Sequence, residues 1–129
     1  MESVVTVALG IAAVYLFFTL LARLPAARLR GKPMPDIAGL TDRNVSAMER
    51  AVIYFFQPAC HACKSMTPVI DELMQTHDNV FKVDATVRPD LARSFHIMGT
   101  PTTVVVNHGV IGEIKVGGLS ASRLKALLG

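Results

Sequence analysis

The spacing of apolar and polar positions divides the chain into one long uncharged run followed by several short segments of differing period. From Val4 to Ala22 no residue carries a charge. Nineteen residues at about 1.5 Å each make roughly 28 Å of helix, close to the ~30 Å hydrocarbon core of a bilayer. Thr6, Tyr15 and Thr19 are its only polar positions, too few for the polar face of a helix half-buried in a soluble core. A secretory leader would open on basic residues and close on a small-x-small site. This one opens Met-Glu-Ser and runs on into LARLPAARLR, so the pattern predicts a retained transmembrane helix. Ala8, Gly10, Ala12 and Ala13 lie close together on it, as small residues do at helix–helix contacts in membranes.

Beyond Gly31-Lys32-Pro33-Met34-Pro35, whose two prolines favour extended geometry and stop a helix, the pattern changes. Thr41-Asp42-Arg43-Asn44 predicts a turn into a short helix through Met48 and Arg50. Ala51–Phe56 (AVIYFF) is a continuous apolar run, the signature of a strand buried on both faces. Over 63–75, apolar Met66, Val69, Ile70, Leu73 and Met74 recur at helical spacing around Pro68, which should kink the helix. Val80–Asp84 predicts a second strand, Pro89–Phe95 a short helix, and Thr102–Val106 a β-branched third strand. Asn107-His108-Gly109 supplies a turn into Val110–Val116, and Ser120 can cap a last helix striped with Leu124, Leu127 and Leu128. The expected fold class is therefore α/β: a mixed central sheet with helices on both faces, preceded by one N-terminal transmembrane helix. The chain divides into the apolar helix (1–24), a basic, proline-containing linker (25–40) and a globular domain (41–129).

Charge modifies this picture in one place. The net charge is +3, yet from Asp36 to Gly129 nine basic residues meet nine acidic ones. The excess belongs to Arg23, Arg28, Arg30 and Lys32, set against Glu2. Such a cluster beside an apolar run, with no aromatic interleaved, reads as a membrane flank and excludes a nucleic-acid footprint. By the positive-inside bias it predicts the N-terminus outside and the domain in the cytoplasm, the alternative being the reverse topology with a role in extracytoplasmic disulfide or cytochrome maturation.

The candidate chemistry stands where the first strand gives way to the first helix of the domain. Cys60-His61-Ala62-Cys63 holds the only two cysteines. Two thiols so spaced can close a disulfide and reopen it on a partner. A helix N-terminus offers Cys60 free N–H groups and positive potential, both favouring the attacking thiolate. His61 would favour it further, making the pair more oxidising, so the His61→Gly variant should have a lower reduction potential. A zinc site would need His77 and His96 as further ligands, and they lack paired spacing. No cofactor or metal is expected.

These residues, with Pro68, Met98-Gly99-Thr100-Pro101-Thr102 and Lys115-Val116-Gly117-Gly118 in that order, resemble the thioredoxin family from about Ala51 to Gly129. The resemblance implies a thiol–disulfide oxidoreductase acting on disulfide- or dithiol-containing proteins and recharged by a redox partner, the alternative being a non-enzymatic domain of the same fold that tethers a partner at the membrane. It makes Cys60 the attacking and Cys63 the resolving cysteine, and Pro101 the family's cis-proline, with Thr100 beside it facing the pair. It also shows departures. Ala59 and His61-Ala62 replace the family's Trp and Gly-Pro. Tyr54 stands where a buried proton-transfer acid is common, leaving water or Lys82, near a matching family lysine, as the substitute. The part before Ala51 matches poorly, so the family's first strand is expected to be short or missing.

Overall fold

A computed structural model describes residues 1–129, apart from the side chains of Pro25 and Ala26. In chain order it comprises α1 (Glu2–Leu29), a 3-10 turn (Val45–Ala47), β1 (Ala51–Phe56), α2 (Cys63–Thr76), β2 (Val80–Asp84), α3 (Pro89–Ser94), β3 (Thr102–Asn107), β4 (Val110–Val116) and α4 (Ala121–Leu127). The four strands form one mixed sheet, ordered β2-β1-β3-β4. β1 runs parallel to β2 and antiparallel to β3, which pairs antiparallel with β4. The α2 crossover supplies the length a parallel connection needs, and the turn at His108-Gly109 takes two residues with positive φ. No strand precedes β1 among the described residues, so β2 is an edge of the sheet.

Strand alternation sends side chains to two unlike faces. Ile53, Phe55, Phe81, Val83, Val104 and Val106 enter a purely apolar core with Leu91 and Phe95 of the α3 region. Tyr54 goes to the other face, beneath α2 and α4, with Met66, Ile70, Leu73, Val80 and Leu124.

α1 is long and apolar enough to cross a bilayer. Its two threonines satisfy themselves within the helix, Thr6 Oγ1 donating to Glu2 O and Thr19 Oγ1 to Leu16 O. The helix continues past Leu24 and ends at Leu29, which is buried in the apolar core. The first residues of the expected linker are therefore helical, Pro33 and Pro35 lie beyond the helix end, and the linker lies against the domain. Gly31 N–H donates to Ile111 O, Ile111 N–H to Lys32 O, and Met34 N–H to Gly109 O. Pro33 bridges Val110 on the free edge of β4.

The helix expected through Met48 and Arg50 shortens to the 3-10 turn. Arg50 is already committed elsewhere, its guanidinium donating to Asn107 Oδ1 and Leu127 O, and Ala51 begins the strand. Pro68 lies inside α2 as read. Ser120 caps α4, accepting from Arg123 N–H.

Candidate functional site

β1 delivers the chain to the cysteines. Its last residue, Phe56, is followed by the exposed segment Gln57-Pro58-Ala59, and α2 opens at Cys63. The residue before the helix is Ala62, which offers no side chain to cap it. The N–H groups of the first turn therefore need another acceptor. Cys63 N–H finds one in Cys60 Sγ, 3.2 Å away. The same bond that completes the helix favours a thiolate on Cys60.

The two sulfurs are joined as a disulfide, with Cα atoms 5.2 Å apart. Their surroundings differ. Cys60 is partly exposed, whereas Cys63 is 2% exposed and part of the α2 packing face. An incoming disulfide can reach the first sulfur and not the second.

Thr100 and Pro101 meet the pair from β3. The Thr100–Pro101 peptide is cis, and Thr100 O lies 3.5 Å from Cys60 Sγ. Thr102 Oγ1 donates to Gly99 O and Gly117 N–H to Pro101 O, tying this loop to itself and to the Gly117-Gly118 segment. A shallow groove of about 280 Å³ runs beside the disulfide, lined by Phe56, Pro58, Lys64 and Pro68 among others. A larger hollow of about 740 Å³ beside Met48, Arg50 and Asn79 is at the other end of β1, with neither cysteine on its wall.

The fold thus gathers Cys60, Cys63, Thr100 and Pro101, although forty residues of chain separate Cys60 from Thr100. His61 is exposed between the cysteines, with its carbonyl accepting from Lys64 N–H. Lys82 is directed elsewhere. Its ammonium is 2.6 Å from Asp71 Oδ1 on α2 and 5.4 Å from the centre of the Phe56 ring. No bond joins it to either cysteine among the described residues.

Tyr54 and Thr67 were not among the site residues that the sequence suggested, yet they lie directly behind Cys63. The Tyr54 hydroxyl donates to Cys63 O at 3.4 Å and is 3.2 Å from Thr67 Oγ1. Burial pushes the phenol's pKa above its ordinary value, the Thr67 bond partly offsets this, and the nearby Asp71 charge adds to it. At neutral pH Tyr54 is therefore a protonated donor and brings no negative charge beneath Cys63. The available signal was spacing: Thr67 follows Cys63 by four residues, on the same helix face.

Among the described residues no group of three or more His, Cys, Asp or Glu side chains is placed to hold a metal ion. The chemistry open to this arrangement is thiol–disulfide exchange: a partly exposed sulfur, a buried second sulfur three residues on, and a backbone edge beside them.

Comparison with known proteins agrees. The thioredoxin family model matches residues 41–129. The thioredoxin of Buchnera aphidicola subsp. Acyrthosiphon pisum is 27% identical over 103 residues, covering 74% of this chain and 95% of its own. That of Bacillus subtilis is 32% identical over 87 residues, covering 63% and 84%. Among solved structures, a mutant thioredoxin from Halobacterium salinarum NRC-1 superposes with a TM-score of 0.58 at 29% identity, over 64% of this chain and 74% of that one. The chain belongs to the thioredoxin family and is a thiol–disulfide oxidoreductase with Cys60 and Cys63 as its redox-active pair.

Proposed function

We propose that this oxidoreductase works from a membrane, anchored by Val4–Ala22, with its N-terminus outside and its domain in the cytoplasm, on disulfide- or dithiol-containing proteins. The observation that carries the catalytic part is the unequal exposure of the two cysteines beside Thr100 O. Cys60 thiolate attacks a substrate disulfide, forming a mixed disulfide and expelling one substrate thiolate, which takes up a proton. Cys63, as thiolate, then attacks Cys60 sulfur. The second substrate thiolate leaves, and the two electrons of the dithiol have passed to the substrate. Thr100 presents backbone to the extended substrate chain, and Pro101 shapes that edge.

Behind the pair, the Tyr54 and Thr67 hydroxyls take the place of a carboxylate and hold the first turn of α2. Lys82 acts at one remove. It pairs with Asp71 and so offsets part of the charge that acts on Tyr54.

Two features support the anchor: the uncharged run with internally bonded threonines, and the basic cluster that follows it. Full-length protein should reduce a protein disulfide with a small dithiol as the recharging agent, and Cys60→Ser should bring this to background. Activity that survives the substitution refutes the assignment of Cys60. A thiol reagent unable to cross membranes should miss Cys60 in intact cells, and labelling there would reverse the topology.

A further inference from the structure

Where α1 leaves its apolar run it meets the loop between α3 and the cis-proline. Leu21, Leu24 and Arg28 of the helix, with Arg93, His96, Ile97 and Met98 of the domain, line an open groove of about 530 Å³. The floor and the rim differ in kind. Leu21, Leu24, Ile97 and Met98 are apolar, and Met98 is 78% exposed. The polar positions are all basic-type side chains, with no acid among them. Arg28 and Arg93 are exposed, each in the last turn of its helix, and neither takes part in an ion pair among the described residues.

We propose that this groove seats one anionic phospholipid, its phosphate between Arg28 and Arg93 and its glycerol and upper acyl carbons against the leucines, Ile97 and Met98. The inference rests on the membrane reading of α1, which sets the depth. Leu21 is the next-to-last residue of the apolar run and Arg28 lies about one and a half turns past its end. The groove then spans the boundary between hydrocarbon and headgroups, where arginine snorkels and where each basic side chain near an anionic surface contributes about 1 kcal/mol. A volume of about 530 Å³ is within the roughly 300–1,000 Å³ typical of small-molecule sites. A neutral or zwitterionic occupant would leave the two guanidinium groups without a matching net charge. A peptide would have to enter at the depth of the lipid headgroups. Charge and depth together select the anionic lipid. Because Met98 and Thr100 belong to one loop, an occupied seat would also hold the substrate-facing edge against the bilayer surface.

The test uses the full chain in a non-ionic detergent micelle, titrated separately with phosphatidylglycerol and phosphatidylcholine, with retained lipid counted by native mass spectrometry. One phosphatidylglycerol should be held in preference to phosphatidylcholine. Arg28→Gln and Arg93→Gln should each weaken that retention about fivefold, while Lys125→Gln, a basic residue of α4, should not. Retention of the two lipids alike overturns the proposal, as does a preference that survives the double Arg28→Gln, Arg93→Gln variant. Inorganic phosphate that displaces the lipid at matched concentration would reduce the site to a plain anion site and overturn it too. Extraction of membranes with alkaline carbonate separates this from the anchor. A chain released by carbonate loses anchor and lipid seat together, whereas one that stays but shows no lipid preference loses only the seat.

Discussion

The two faces of the sheet answer to different demands. On one, Ile53, Phe55, Val83, Val104 and Val106 pack with Phe81, Leu91 and Phe95 and bring in no side-chain polar atom. On the other, across the same strands, Tyr54 pairs in register with Thr103 and Lys82. Tyr54 and Thr103 are fully buried, and Lys82 reaches Asp71 at the surface. The first face is a matter of volume and burial. The second lies under α2, whose first residue is a reacting cysteine, and a hydroxyl there can act on sulfur chemistry in a way a methyl cannot. The contrast assigns stability mainly to one side of β1 and adjustment of the dithiol to the other.

The largest test of that division is Phe55→Ala. Phe55 is fully buried with its ring centre 5.4 Å from that of Phe95. Its removal should cost about 3–5 kcal/mol in denaturant unfolding, while the reduction potential of whatever remains folded stays the same. A loss under about 1 kcal/mol would show that the apolar face does not carry the fold.

Tyr54→Phe should act the other way round, costing only about 1–2 kcal/mol, since it removes the hydroxyl's bonds to Cys63 O and Thr67 Oγ1 but keeps the ring. It should nonetheless slow disulfide exchange, and unaltered exchange kinetics would remove Tyr54 from the site. Its pH signature has a definite sign. With the folded-state pKa raised above the ordinary tyrosine value near 10, the unfolded chain ionises first. The contribution is complete below about pH 10 and is lost as pH rises from there through the folded value. The phenylalanine variant should lack that part of the alkaline decline. Equal declines in both proteins would mean that the phenol is not held neutral by folding.

The smallest effect is expected at Thr103, whose buried hydroxyl has no hydrogen-bond partner. Thr103→Val should leave stability unchanged or raise it by up to about 1 kcal/mol. A clear loss would mean that the hydroxyl is bonded, through water, to the network behind Cys63.

The apolar face was the more legible from sequence for the same reason that it is simple. The continuous apolar run AVIYFF gave β1 its observed limits, Ala51–Phe56, and Pro89 opened α3 as read. The cysteines, Thr100 and Pro101 were legible as chemistry before anything showed that they met. What could not be read was long-range commitment. Arg50 gives its guanidinium to Asn107 and Leu127, residues far along the chain, and that bonding is absent from any local window. Tyr54 could be seen to be unusual at its position. That its hydroxyl ends on Cys63 O and Thr67 depends on the packing angle of α2 across β1, which periodicity does not give. Lys82 was chosen by position in the family, and the nearer carboxylate of Asp71 claimed it.

The residues after α1 are bonded to the outer edge of β4 through Gly31, Lys32 and Met34. With the helix in a bilayer, this fastening removes the swing a flexible tether would allow. Under the proposed anchoring, the dithiol would be held at a set height and heading and would search for substrates by drifting in the plane of the membrane. An anchor of that kind would favour proteins whose disulfides come close to that plane over those dissolved farther out.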